Sequence, residues 1–200
     1  LEAGDASATV YALRGSPEGR FTTVATPLPA GSGFPRGGLA VGQFAGGAAL
    51  DVIGIASSGA PVLGPPALGL LVGDGAGGFT PVRAPLGSLT NASDPQALAL
   101  ADFDEDGRLD VAVSDLSPVG GPNNWSRSFI DLLLGDGRGG FRLAGSYAVP
   151  EVSQTGLVAA DVDGDGHADV ASTGARFEPG SPGAKVTVAF GDGFGSIRDA

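Results

Sequence analysis

Two stretches of the 200-residue sequence concentrate carboxylates at one spacing, ADFDEDGRLD at 101–110 and ADVDGDGHAD at 160–169. Each places aspartates at relative positions 1, 3, 5 and 9 and a glycine at position 6. Four carboxylates in one turn repel one another, and a hard divalent cation converts that repulsion into coordination. Oxygen donors in a flexible turn suit calcium better than zinc or copper. The spacing therefore predicts side-chain ligands Asp102, Asp104, Asp106 and Asp110 in the first loop, with the Arg108 carbonyl between the last two. In the second it predicts Asp161, Asp163, Asp165 and Asp169, with the His167 carbonyl. Gly107 and Gly166 permit the sharp turn that returns the early ligands toward the ninth residue. The expected cofactor is Ca2+, two ions per chain.

An EF-hand begins in the same way but requires a glutamate at position 12 and flanking helices. Position 12 is Val113 in one loop and Ser172 in the other, and strand-like alternation follows each. Catalysis by these aspartates is not expected either, because a bound cation occupies their lone pairs and holds their pKa values low. The single histidine, His167, lies inside a loop, and the sequence has no G-x-S-x-G elbow. The run GDGRGG lacks both the lysine and the following helix of a phosphate-binding loop. The expectation is a chain that is not an enzyme.

The elements that must position the loops repeat with them. Asp51, Asp110 and Asp169 stand 59 residues apart, and Phe44 and Leu50 precede the first as Phe103 and Leu109 precede the second. In that earlier copy Gln43, Ala45 and Gly47 replace the other aspartates, so it is expected to hold no ion. A second motif follows each copy: LLVGDGAGGF at 70–79, LLLGDGRGGF at 132–141 and VAFGDGFGSI at 188–197. Each unit reads as four short strands, in the second unit QALALAD, LDVAVSD, IDLLLGD and GGFRLAGSY. Units of this length with four strands apiece indicate an all-β propeller built of four-stranded antiparallel blades. The expected divisions are a partial blade at 1–37, a blade with a degenerate loop at 38–97, and blades with complete loops at 98–155 and 156–200.

Such a segment of about three and a half blades leaves apolar faces at both ends. Adjoining propeller blades or self-association would cover them, and an atypical compact arrangement is the other possibility. The start LEAGDASATV has neither an initiator methionine nor a signal peptide, which reads as a mature or excised product. Twenty-two acidic residues against 11 basic give a net charge of −11, which argues against nucleic acid as a partner. No run reaches the roughly 18 apolar residues of a membrane-spanning helix. Without cysteine, a disulfide scaffold and thiolate metal sites are excluded.

The pairing of DxDxDGxxD with a later LLLGDGxGGF resembles the FG-GAP repeats of integrin alpha subunits and the VCBS-type repeats of secreted bacterial proteins. The resemblance covers about 38–200 strongly and the first 30 residues weakly. It implies an extracellular or cell-surface calcium-binding propeller, and on it the eight aspartates of the two complete loops carry over as calcium ligands. It also implies adhesion or ligand recognition. The alternative is a non-catalytic accessory or carbohydrate-binding segment of a secreted hydrolase. One further candidate lies in the insertion SDLSPVGGPNNWSRSF at 114–129, where Trp125 could stack on a sugar or anchor a protein, with Asn123, Asn124 and Arg127 as hydrogen-bonding companions. The bland reading of Trp125 is a plug for its own loop.

Overall fold

A computed structural model of the chain describes residues 9–27, 38–56, 67–82, 95–118, 126–149, 152–178 and 181–199. These residues form strands, turns and bends, with no helix among them. An N-terminal hairpin pairs β1 (Thr9–Gly15) with β2 (Phe21–Pro27). Three four-stranded antiparallel meanders follow. The first contains β3 (Leu39–Gly42), β4 (Asp51–Ala56), β5 (Ala67–Gly73) and β6 (Phe79–Val82). The second contains β7 (Pro95–Ala101), β8 (Asp110–Pro118), β9 (Ser126–Gly135) and β10 (Phe141–Val149). The third contains β11 (Val152–Ala160), β12 (Asp169–Glu178), β13 (Ser181–Gly191) and β14 (Ile197–Asp199). First strands of successive sheets are neighbours, β3 beside β7 and β7 beside β11. This all-β architecture is that of propeller blades.

The central sheet is packed on both faces, which explains a run such as Leu132–Leu133–Leu134 that no half-buried strand would carry. Val111, Val113 and Leu133 share one face with Leu98 and pack against Phe44, Ile53, Ile55, Leu68 and Leu70 of the preceding sheet. Ala112, Ile130, Leu132 and Leu134 share the other and meet Leu157, Val170, Ala189 and Ile197 of the following one. Each fully buried leucine contributes about 1.5–3 kcal/mol. At the two ends of the array the pattern continues without a neighbour among the described residues: Val158 and Val186 are exposed on the far face of the third sheet, and Tyr11, Leu13 and Phe21 on the hairpin.

The described residues of the insertion at 114–129 are strand. β8 runs to Pro118 and β9 begins at Ser126, in register from Asp115↔Phe129 to Pro118↔Ser126. Alternating short polar residues extend the hairpin where a long loop was expected. Asn123, Asn124 and Trp125 lie outside the described residues, and Arg127 enters the description through its backbone pairing with Ser117.

Asp131 is an exception inside the core. It is 0 % exposed, on the face of Val113 and Leu133, and neither of its carboxylate oxygens has a hydrogen bond of ordinary geometry. Burial raises its pKa, and the Ser146 hydroxyl on the paired strand offsets this only in part. A folded-state pKa above the unfolded value of about 3.9 means that the contribution is fully present below that value and is lost as pH rises through the folded pKa. Asp131→Asn is therefore expected to flatten the stability-versus-pH profile and to raise stability at pH 7.5 by about 1 kcal/mol or more. Urea melts of both proteins from pH 4 to 8 check this; parallel profiles would show that Asp131 does not titrate within the core.

Candidate metal centre

Each loop bridges the first two strands of its sheet, and its ninth residue is the first residue of the second strand. That aspartate is a clamp. Asp110 is 0 % exposed; its Oδ2 accepts the Phe103 N–H at 2.8 Å and its Oδ1 the Gly135 N–H at 2.8 Å. Asp169 repeats this with Val162 at 2.8 Å and Gly191 at 2.9 Å. Asp51 repeats it again, taking Phe44 and Ala45 on Oδ2 at 2.9 Å each and Gly73 on Oδ1 at 3.0 Å. One carboxylate thus fastens the loop to the start of the hairpin turn between the third and fourth strands. The arrangement needs glycine in that turn, because a Cβ at Gly73, Gly135 or Gly191 would collide with the carbonyl of Leu50, Leu109 or Ala168.

The aspartate of the GDG motif builds the turn itself. Asp136 Oδ1 accepts the Arg138 and Gly140 N–H groups at 2.7 and 2.8 Å, and those bonds hold its pKa below the ordinary value. Asp74 accepts the Ala76 and Gly78 N–H groups in its turn, and Asp192 those of Phe194 and Ser196. The completed turn then reaches the neighbouring blade: Gly139 N–H donates to the Phe44 carbonyl at 2.8 Å, and Gly195 N–H to the Phe103 carbonyl at 3.0 Å.

Within the first complete loop, Asp102 folds the backbone by accepting the Asp106 N–H at 3.0 Å and the Gly107 N–H at 2.8 Å. In the second, Asp161 accepts Gly164 at 2.7 Å and Gly166 at 3.0 Å. Ligand-capable oxygens of Asp102, Asp104 and Asp110 lie within 4.8 Å of one another, as do those of Asp161, Asp163 and Asp169. Asp104 Oδ1 is buried without a hydrogen-bond partner. Burial, together with the charges of Asp104 and Asp102, lifts the pKa of Asp110 to about 6 against the pull of its two backbone N–H donors. An orphaned carboxylate oxygen beside a carboxylate under like-charge repulsion fits a hard cation, and each cluster could hold a metal ion.

The clusters gather three of the four expected carboxylates in each loop. Asp106 and Asp165 instead direct their Oδ2 atoms to the Arg108 and Arg198 guanidinium groups, while their Oδ1 atoms accept the Arg108 and His167 backbone N–H at 2.9 Å each. Asp165 is held below its usual pKa first by the His167 N–H and then by Arg198. His167 faces a glutamate. Its Nδ1 lies 2.5 Å from Glu105 Oε1 of the preceding loop, and that contact is the main cause of its raised pKa. Glu105 has φ 57°, the single non-glycine residue with positive φ among those described, and the cross-loop contact offsets that backbone cost.

Sequence reasoning missed the clamp role of the ninth aspartate and the arginine partners of the fifth. The first had a visible signal: Asp51 persists where its loop has lost every other carboxylate. For the second, Arg108 stands two residues from Asp106, whereas Arg198 is 33 residues from Asp165 and gave no signal.

Fold and loops together define a propeller-type scaffold of four-stranded blades fastened by aspartate clamps. Residues 48–113, from the end of the degenerate loop through the first complete one, match the FG-GAP-like repeat family. No curated protein matches the chain.

Proposed function

We propose that the chain is a calcium-stabilised, extracellular β-propeller scaffold whose role is adhesion or ligand recognition rather than catalysis. The observation that carries the reading is the pair of three-carboxylate clusters, one of which contains the orphaned buried oxygen of Asp104. Hard oxygen donors on a flexible turn favour calcium, at two ions per chain. The FG-GAP-like match adds support, since such repeats occur in extracellular proteins and often bind calcium. When bound, the ion supplies positive charge that relieves repulsion among Asp102, Asp104 and Asp110. Asp106 and Asp165, which now contact Arg108 and Arg198, would complete the ligand sets. The exposed faces carrying Val158 and Val186 at one end and Tyr11, Leu13 and Phe21 at the other suit adjoining blades or a second copy.

Titration calorimetry on metal-depleted protein tests the metal reading. Calcium is expected to bind at two sites per chain with dissociation constants of about 10⁻⁴ M or tighter. Asp104→Asn is expected to remove one of them. No heat of binding at millimolar calcium, or unchanged stoichiometry in the variant, would reject it.

A further inference from the structure

The two junctions between successive blades are built alike, yet one is closed and the other open. At the junction of the second and third sheets, Glu105 crosses from one loop to His167 of the next. Moving back by the 59-residue repeat, Gly46 stands in the place of Glu105 and Arg108 in the place of His167. The earlier junction therefore has the cation of the pair without its carboxylate.

A cleft of about 640 Å³ occupies this place, lined by Gly46, Gly47, Arg108, Asp136 and Arg138 among others. That volume is in the range of small-ligand sites. The Arg108 stem lies over Gly137, where a Cβ would come within 2.9 Å of its Cδ, and half of the side chain remains exposed. One N–H of its fork is given to Asp106, which leaves further donors for a second acceptor. Arg138 is exposed on the turn between β9 and β10. Asp136 spends its Oδ1 on the Arg138 and Gly140 backbone N–H groups. Gly47 is informative for a different reason. It lacks positive φ, and a Cβ there would meet nothing nearer than Ala49 N at 3.8 Å, so the fold does not require glycine at this position. Its effect is to keep the floor of the cleft open.

We propose that this cleft binds a carboxylate side chain of an acidic peptide, seated against Arg108 and Arg138 as Glu105 is seated against His167 at the neighbouring junction. Recognition rests on planar, charge-assisted hydrogen bonds from guanidinium groups. It goes beyond the metal reading and does not depend on it.

The test uses metal-depleted protein labelled with ¹⁵N at arginine side chains, titrated with N-acetyl-Gly-Glu-Gly-amide, its Gln counterpart and inorganic phosphate. The Glu peptide is expected to move the Arg108 and Arg138 Nε resonances with a millimolar dissociation constant, a plausible strength for one exposed ionic contact. Arg108→Gln is expected to weaken binding by about fivefold or more. Gly46→Glu supplies the carboxylate from within, in a backbone conformation that Glu105 already adopts, and is expected to abolish it. A Cβ at Gly46 would come 3.1 Å from the Gly137 carbonyl, so Arg108→Gln carries the test if that variant does not fold. No shift with the Glu peptide, equal shifts with the Gln peptide or phosphate, or unchanged affinity in Arg108→Gln would each overturn the proposal. Binding that persists without calcium, even if the loops prove to hold no ion, would leave it standing.

Discussion

Calcium at about 100 times the dissociation constant of the loops is expected to stabilise the metal-free chain by about 2.7 kcal/mol per loop. For two loops the gain is about 5 kcal/mol, which in a chain of this size raises Tm by roughly 10–20 °C. The cause is electrostatic. In each loop ligand-capable oxygens of three carboxylates lie within 4.8 Å of one another, and backbone N–H groups fix Asp102 and Asp110 in one loop and Asp161, Asp163 and Asp169 in the other, which limits how far the charges can move apart. The pKa of Asp110, raised to about 6, reflects the cost of burial together with that repulsion. Asp104→Asn is expected to remove about half of the calcium-dependent shift and to leave the contribution of the 161–169 loop. Scanning calorimetry with and without calcium makes the measurement. A Tm indifferent to calcium would mean that the arginine partners of Asp106 and Asp165 already neutralise the loops sufficiently.

The second large effect concerns a loop from which no ion is expected. Asp51→Ala would orphan the N–H groups of Phe44, Ala45 and Gly73, three bonds of 2.9–3.0 Å to a carboxylate that is 2 % exposed. Bonds to charged acceptors contribute about 1.5–3 kcal/mol each, and partial relaxation and water entry recover some of the loss; the expected cost is about 4 kcal/mol. Asp51→Asn keeps the size but offers a single acceptor oxygen, so about half that loss is expected. The Phe44 carbonyl also receives Gly139 of the next blade, so loosening this loop weakens the junction as well. Chemical denaturation gives both values, and a loss in Asp51→Ala below about 1 kcal/mol would deny the clamp its structural role.

Much of this was legible because the repeat is local and periodic. The spacing DxDxDGxxD and the later GDG run place a turn and two hairpins in each unit, and the structure supplies the strands where the alternating runs stand. Other features depend on contacts that sequence distance hides. Leu132, Leu133 and Leu134 serve two interfaces, which becomes apparent only when both neighbouring sheets are in place. Asp106 and Asp165 read as equivalent to their neighbours by spacing, yet guanidinium groups hold one oxygen of each. The polar stretch at 114–129 reads as a loop because its residues are turn formers, but the pairing of β8 with β9 carries strand to Pro118 and resumes it at Ser126. Asp51 carried a clue of its own: an acid that stands where Gln43, Ala45 and Gly47 occupy the other aspartate positions must do something that does not require those neighbours.

The two complete aspartate loops are proposed to hold calcium, and the degenerate one none. Anomalous diffraction from crystals of this chain grown in calcium tests this most directly. Two peaks are expected, one bounded by Asp102, Asp104, Asp106 and Asp110 and one by Asp161, Asp163, Asp165 and Asp169, and none between Gln43 and Asp51. Loops without anomalous density at saturating calcium, with Arg108 and Arg198 still on Asp106 and Asp165, would contradict it.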